Sequence, residues 1–174
     1  MKINLKFFRF NFRLYLILIM LIGVLMFFSY IPIMKDRTKK IILFLCVHNT
    51  FRSQIAEAYF NKFANEKNLG WQAKSAGFLK ADKINEKAVV LMKEEGIDIS
   101  DKKPKLVTNE MIDKAEKIIV VCEECEKEGI CINLPKYKDI EYWRLKNPAE
   151  IELEKGREIR DEIKNRVIKL VNML

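Results

Sequence analysis

From Lys40 onward, short apolar runs alternate with stretches whose apolar positions recur every three or four residues. Ile41-Ile42-Leu43-Phe44-Leu45 contains no polar residue, as expected of a strand buried on both faces of a parallel sheet. Ser53 to Asn68 follows, with Ile55, Tyr59 and Phe63 four residues apart and Ala58 beside them, which predicts a helix with one apolar face. Trp71 to Ala76 predicts a second strand, stopped by Gly77. Asn85 to Glu95 predicts a helix with Gly96 at its C-terminal cap. Thr108 to Ala115 reads as a short helix, Ile118-Ile119-Val120-Val121 as a buried strand and Glu141-Tyr142-Trp143 as a fourth. The closing helix repeats Ile159, Ile163, Val167 and Val171 every four residues. Such alternation implies an α/β domain with a parallel sheet covered on both faces. The sequence shows no internal repeat and no low-complexity linker.

The first 39 residues follow a different pattern and form a separate N-terminal basic segment. Residues 14–34 are 21 consecutive uncharged positions rich in Leu, Ile, Met and Phe. About 20 such residues suffice to cross a bilayer, so a transmembrane helix over 14–34 is expected, tethering a domain over 40–174 to a membrane. Ser29-Tyr30-Ile31-Pro32 offers no small-residue cleavage site of the kind that ends a signal peptide. Four basic residues lie on each side of the run and only Asp36 opposes them, which leaves the orientation open. Met34 offers an alternative start, from which the domain would be soluble and cytoplasmic.

Charge follows the same division. The chain of 174 residues carries a formal net charge of +8. Residues 1–40 hold eight basic residues against Asp36, a net +7, whereas 41–174 hold 24 basic and 23 acidic residues, a net +1. The folded part is therefore nearly neutral, which excludes a nucleic-acid-binding surface as the meaning of the basic total. An apolar content of 49% with 32% charged residues excludes a disordered chain. Four cysteines are too few for a disulfide-built scaffold of this length, so their placement points to chemistry.

The strongest chemical signal is Cys46-Val47-His48-Asn49-Thr50-Phe51-Arg52-Ser53, which joins the first strand to the first helix of the domain. A short loop that curls into a helix N-terminus gathers backbone N–H groups into one concavity, and the helix dipole adds partial positive charge. A tetrahedral oxyanion fits there. Arg52 supplies a guanidinium fork for two of its oxygens. The donors that hold an anion also hold a thiolate at Cys46, and Ser53 can donate to the same sulfur. Asn49 belongs to the few non-glycine residue types that accept positive φ. His48 is the only histidine, so it shapes the loop rather than completing a Cys–His pair with a second one.

These residues resemble the low-molecular-weight protein tyrosine phosphatase family, and within it the thioredoxin-coupled arsenate reductases. The resemblance runs from about Lys40 to the C-terminus. It rests on Ile42 through Thr50, on Arg52-Ser53-Gln54-Ile55-Ala56-Glu57 with Gln54 typical of the reductases, and on Ser75-Ala76-Gly77, Ala81 through Asn85 and Gly96 through Ser100. It implies a three-layer α/β sandwich whose four parallel strands run in the order 2-1-3-4. It also implies the substrate, arsenate or a phosphate ester, and a thiol reductant such as thioredoxin as partner, with no cofactor and no metal.

A second cluster, Cys122, Cys125 and Cys131, follows the third strand within a Glu-rich loop. A phosphatase has no use for these thiols, whereas a reductase does. The resemblance implies a cascade. Cys46 forms a covalent adduct with arsenate, a second thiol attacks Cys46 as arsenite leaves, and a third resolves the disulfide and passes oxidation to thioredoxin. Cys131 resembles the third thiol, and Cys122 or Cys125 the second. Three alternatives stand beside the cascade: Cys122 and Cys125 as a redox pair by themselves, the three thiols as a Zn²⁺ or As(III) site, or idle cysteines. Glu123, Glu124, Glu126 and Glu128 are expected to keep the loop solvated and to raise the thiol pKa values.

One position departs from the family. An Asp-Pro pair serves there as general acid for the leaving oxygen, but here Asn147 precedes Pro148, with Glu150 nearby as a substitute acid. Such an acid contributes about 10²–10⁴ in rate. Phe51 is bulkier than the small residue common before the Arg. Three functions follow as expectations: an arsenate reductase, a low-molecular-weight phosphatase, or a non-catalytic oxyanion- or arsenite-binding protein.

Overall fold

The computed structural model describes residues 15–22, 39–131, 134–147 and 152–174. The chain divides into two units, Met1–Arg37 and Thr38–Leu174.

In the first unit the described helix, α1, covers residues 15–22. Among the described residues no helix is long and apolar enough to cross a membrane. The expected transmembrane helix over 14–34 is therefore overturned: the eight described helical residues span about 12 Å, against a hydrocarbon core of about 30 Å. An uninterrupted apolar composition meets the compositional requirement for a span, whereas the described residues supply eight helical positions. Residues 14 and 23–34 of that run lie outside the described residues.

The second unit is an α/β domain. In chain order it contains β1 (Lys40–Cys46), α2 (Arg52–Glu66), β2 (Trp71–Gly77), α3 (Glu86–Glu94), α4 (Asn109–Lys114), β3 (Ala115–Cys122), α5 (Glu124–Lys127), β4 (Asp139–Leu145) and α6 (Leu153–Met173). All pairings are parallel and the strand order is β2-β1-β3-β4. β1 is central and its Ile42 through Cys46 are buried, which accounts for the uninterrupted apolar run. Alternation along β1 sends Phe44 to one face, where it meets Phe60 of α2 at 6.1 Å and Trp143 of β4 at 5.6 Å. Leu43 points to the other face and lines a cavity with Met111 of α4. The core thus lies on both faces of the sheet.

Local chemistry fixes the boundaries. α2 ends before Asn68, which adopts φ +52°, two residues earlier than periodicity alone predicts. The Asn85 side chain caps α3 by accepting from the Lys87 N–H at 2.9 Å, and Thr108 caps α4 by accepting from Met111 at 3.2 Å. β4 extends beyond Glu141–Trp143; as an edge strand it is buried only at alternate positions toward its end, so no continuous apolar run marks its bounds. The Glu-rich segment expected to be a solvated loop instead opens with the short helix α5, and its Cys125 is buried.

Candidate active site

Parallel strands bring their C-terminal ends to one edge of the sheet, where the loops after β1, β3 and β4 meet. Cys46 is the last residue of β1 and pairs in register with Gly77 of β2. A Cβ on Gly77 would lie 2.7 Å from the His48 carbonyl carbon and 2.8 Å from the Asn49 nitrogen, so only glycine lets β2 approach the loop this closely. The loop carbonyls are engaged on its outer side. Those of Cys46, Val47 and Thr50 accept from the backbone N–H groups of Phe78, Leu79 and Asn85. On the inner side, the Asn49 N–H donates to Cys46 Sγ at 3.2 Å, and Ser53 Oγ lies 3.0 Å from the same sulfur.

Asn49 holds this curvature. It adopts φ +56° and is fully buried. Its amide donates to Ser53 Oγ at 2.8 Å and Ser75 Oγ at 2.9 Å, and its carbonyl oxygen accepts from the Lys105 N–H and the Gln54 side chain. Ser75 in turn donates to Glu57, which Lys102 and Lys105 approach at 3.4 Å. A strained φ and a buried polar cluster persist here because almost every group has a partner.

Arg52 opens α2 with its guanidinium buried. Nη1 donates to the Leu145 carbonyl at 2.8 Å and to both carboxylate oxygens of Glu124, at 2.8 and 3.2 Å. The end of β4 departs from regular register and Arg144 adopts φ +53° beside that carbonyl. The resulting cavity is lined by Cys46, the exposed His48, Thr50, Arg52, Asn85, Glu124, Glu128 and Asn147. Val47 and Phe51 also reach it, although both are buried, and the Phe51 ring packs toward Gly156 of α6. Asn147 therefore stands at the mouth of the site, whereas Pro148 and Glu150 lie outside the described residues.

The remaining cysteines lie after β3. Cys122 ends that strand, which pairs with β1 through Leu45 and Val120, so Cys46 and Cys122 occupy the same end of neighbouring strands. Cys122 and Cys125 are joined in a disulfide, with their Cα atoms 5.8 Å apart, while Cys46 and Cys131 are free thiols. This is the pairing within Cys122-Glu123-Glu124-Cys125, not one that uses Cys131. The Cys131 N–H donates to the Cys125 carbonyl at 3.2 Å. Burial pushes the Cys131 thiol above its ordinary pKa, and the nearby Glu126 charge adds to the effect. Among the described residues no group of three His, Cys, Asp or Glu side chains is placed to hold a metal ion.

Sequence reasoning missed three contributors. Gly77 is legible only as the stop of the second strand and Asn85 only as the start of a helix, neither as a part of the site. Glu124 was read as one of several solvating carboxylates, because nothing local to it signals a partner 72 residues away.

Residues 41–174 match the low molecular weight phosphotyrosine protein phosphatase family. The arsenate reductase of Brevibacillus brevis is 36% identical over 131 residues, covering 75% of this chain and 93% of the relative. Among solved structures, an arsenate reductase from Archaeoglobus fulgidus superimposes with a TM-score of 0.63 at 37% identity, covering 75% of this chain and 98% of that one. A thioredoxin-dependent arsenate reductase from Corynebacterium glutamicum gives 0.60 at 30% identity, covering 78% and 60%.

Proposed function

Because the chain belongs to the low molecular weight phosphotyrosine protein phosphatase family, we propose that its 40–174 domain binds oxyanions in the Cys46–Ser53 loop and reduces arsenate to arsenite. The observation that carries the reductase reading is the set of three further cysteines after β3, two of them already joined. The likeness to arsenate reductases over nearly their whole length supports the same substrate.

In this reading Cys46 Sγ attacks arsenic, an S–As bond forms and an arsenate oxygen leaves as water after protonation. The loop N–H groups and Arg52 hold the remaining oxygens, and the Ser53 hydroxyl and Asn49 N–H hold the sulfur before attack. Cys122 then attacks Cys46 Sγ. The electron pair of the S–As bond stays on arsenic, so As(V) becomes As(III), arsenite departs and a Cys46–Cys122 disulfide remains. Cys125 takes Cys122 in turn, freeing Cys46 and leaving the Cys122–Cys125 disulfide. Cys131 stands next to Cys125 and serves as a further relay by the same exchange. A thioredoxin-like dithiol restores the thiols and is itself oxidised. This chemistry needs a reducing compartment such as the cytoplasm.

Phosphoester hydrolysis is the second reading. It uses the same nucleophile and cradle and is favoured by the family description. Asn147 at the mouth provides no proton for either leaving oxygen. Purified full-length protein given arsenate with thioredoxin, and separately an aryl phosphate, separates these readings. Arsenite release that is lost in Cys46→Ser and in Cys122→Ser supports the reductase. Phosphate release that survives Cys122→Ser, without arsenite, supports the phosphatase. Anion binding without either product leaves only a binding protein.

A further inference from the structure

The guanidinium assigned to the oxyanion already has an anionic partner. Glu124 places a carboxylate 2.8 Å from Arg52 Nη1, and both side chains are largely shielded, at 17% and 6% exposure. That carboxylate lines the same cavity as Cys46 and Asn147. It carries the charge of an entering oxyanion and satisfies the same donor. While it stays, a second anion meets a like charge within the cavity. Glu124 also has a specific place in the chain. It lies between Cys122 and Cys125, and their disulfide closes the turn that presents it to Arg52.

We propose that Glu124 is an internal competitor for the oxyanion at Arg52, held there by the Cys122–Cys125 disulfide, so that the oxidised protein binds oxyanions more weakly than the reduced one. The inference rests on the reading of Arg52 as the anion's partner. Reduction opens the tie between residues 122 and 125, and the carboxylate then moves to solvent when an anion offers Arg52 an alternative. The consequence for turnover is direct. After arsenite leaves, a fresh arsenate would trap Cys46 in an adduct with no reduced thiol ready to resolve it. Glu124 keeps the site closed to anions until the disulfide is reduced. By linkage, an anion that prefers the reduced state must also favour reduction of the disulfide by the same factor.

The test uses full-length protein carrying Cys46→Ser and Cys131→Ser, in which Cys122–Cys125 is the one intramolecular disulfide that can form. Binding of inorganic phosphate is measured by calorimetry on the oxidised and reduced forms, with and without Glu124→Gln. The expected Kd is at least tenfold weaker in the oxidised form, and Glu124→Gln brings the oxidised value to the reduced one. Saturating phosphate shifts the disulfide equilibrium in a dithiol redox buffer toward the reduced form by the same factor, about 30 mV for tenfold. Equal phosphate affinity in both redox states, no binding in either, or an oxidised form unaffected by Glu124→Gln overturns the proposal. Since nothing is turned over, failure of the arsenate reading appears separately, as wild-type protein that binds phosphate in this pattern but releases no arsenite.

Discussion

Ser53 Oγ lies 3.0 Å from Cys46 Sγ, and the same hydroxyl accepts from the buried Asn49 amide at 2.8 Å. After accepting from the amide the hydroxyl still has its one proton to donate, and a thiolate at Cys46 is an acceptor only. A hydrogen bond to a charged group contributes about 1.5–3 kcal/mol, or roughly 10- to 100-fold in rate if it is lost from the attacking state. Ser53→Ala is therefore expected to lower the rate of arsenite formation by that range while leaving the fold intact, as read by single-turnover arsenite assay and circular dichroism.

Asn49 combines a left-handed backbone with a side chain that bridges α2, β2 and the Lys105 amide. Asn49→Ala leaves the Lys105 N–H without its partner and holds at φ +56° a side chain that, unlike asparagine's, makes no local hydrogen bonds to offset that conformation, and is expected to destabilise the domain by about 3 kcal/mol. Asn49→Gly relieves the backbone part and recovers about 1 kcal/mol of the loss. Urea unfolding of the three proteins measures both differences.

Asn147 lines the cavity where a leaving oxygen would receive its proton. Restoring a carboxylic acid by Asn147→Asp is expected to raise aryl phosphate hydrolysis by up to about 10². The gain should be largest in acid and fall away as pH rises through the ionisation of the carboxyl, about pH 4 for an ordinary aspartate. An unchanged rate would mean that position 147 does not reach the leaving group.

Cys131 is expected to resist ionisation, because burial and the Glu126 charge raise its pKa. An ordinary thiol is half ionised at about pH 8.5, so at that pH Cys131 should be alkylated by iodoacetamide more slowly than an exposed thiol. Glu126→Gln should speed the reaction. The folded state holds the Cys131 proton more tightly than the unfolded state. Its contribution to stability is therefore complete below about pH 8.5 and is lost as pH rises above it. In reducing buffer, Cys131→Ala should show a shallower alkaline fall in urea midpoint than the parent protein.

Much of the domain was legible because its local rules agree with its global ones. β1 reads as a buried strand because five apolar residues in succession suit only a central parallel strand. The Cys46–Arg52 loop reads as an anion cradle because its chemistry is contiguous in sequence. The partners of Arg52 were not legible, since Leu145 and Glu124 reach it from 93 and 72 residues away. Glu124 has the composition of a solvating residue, and only the sheet order turns it inward. The apolar run over 14–34 shows the reverse error, in which composition suggested a span that the described helix is too short to make.

The account depends on Cys46 acting through the thiols that follow β3. Fully reduced full-length protein, freed of reductant and mixed with excess arsenate, tests that dependence in one turnover. The chain has four cysteines. The account predicts one arsenite released per chain, two free thiols lost, and a disulfide mapped by mass spectrometry to the peptide containing Cys122, Cys125 and Cys131. Four thiols still free after incubation, with no arsenite formed, would contradict it.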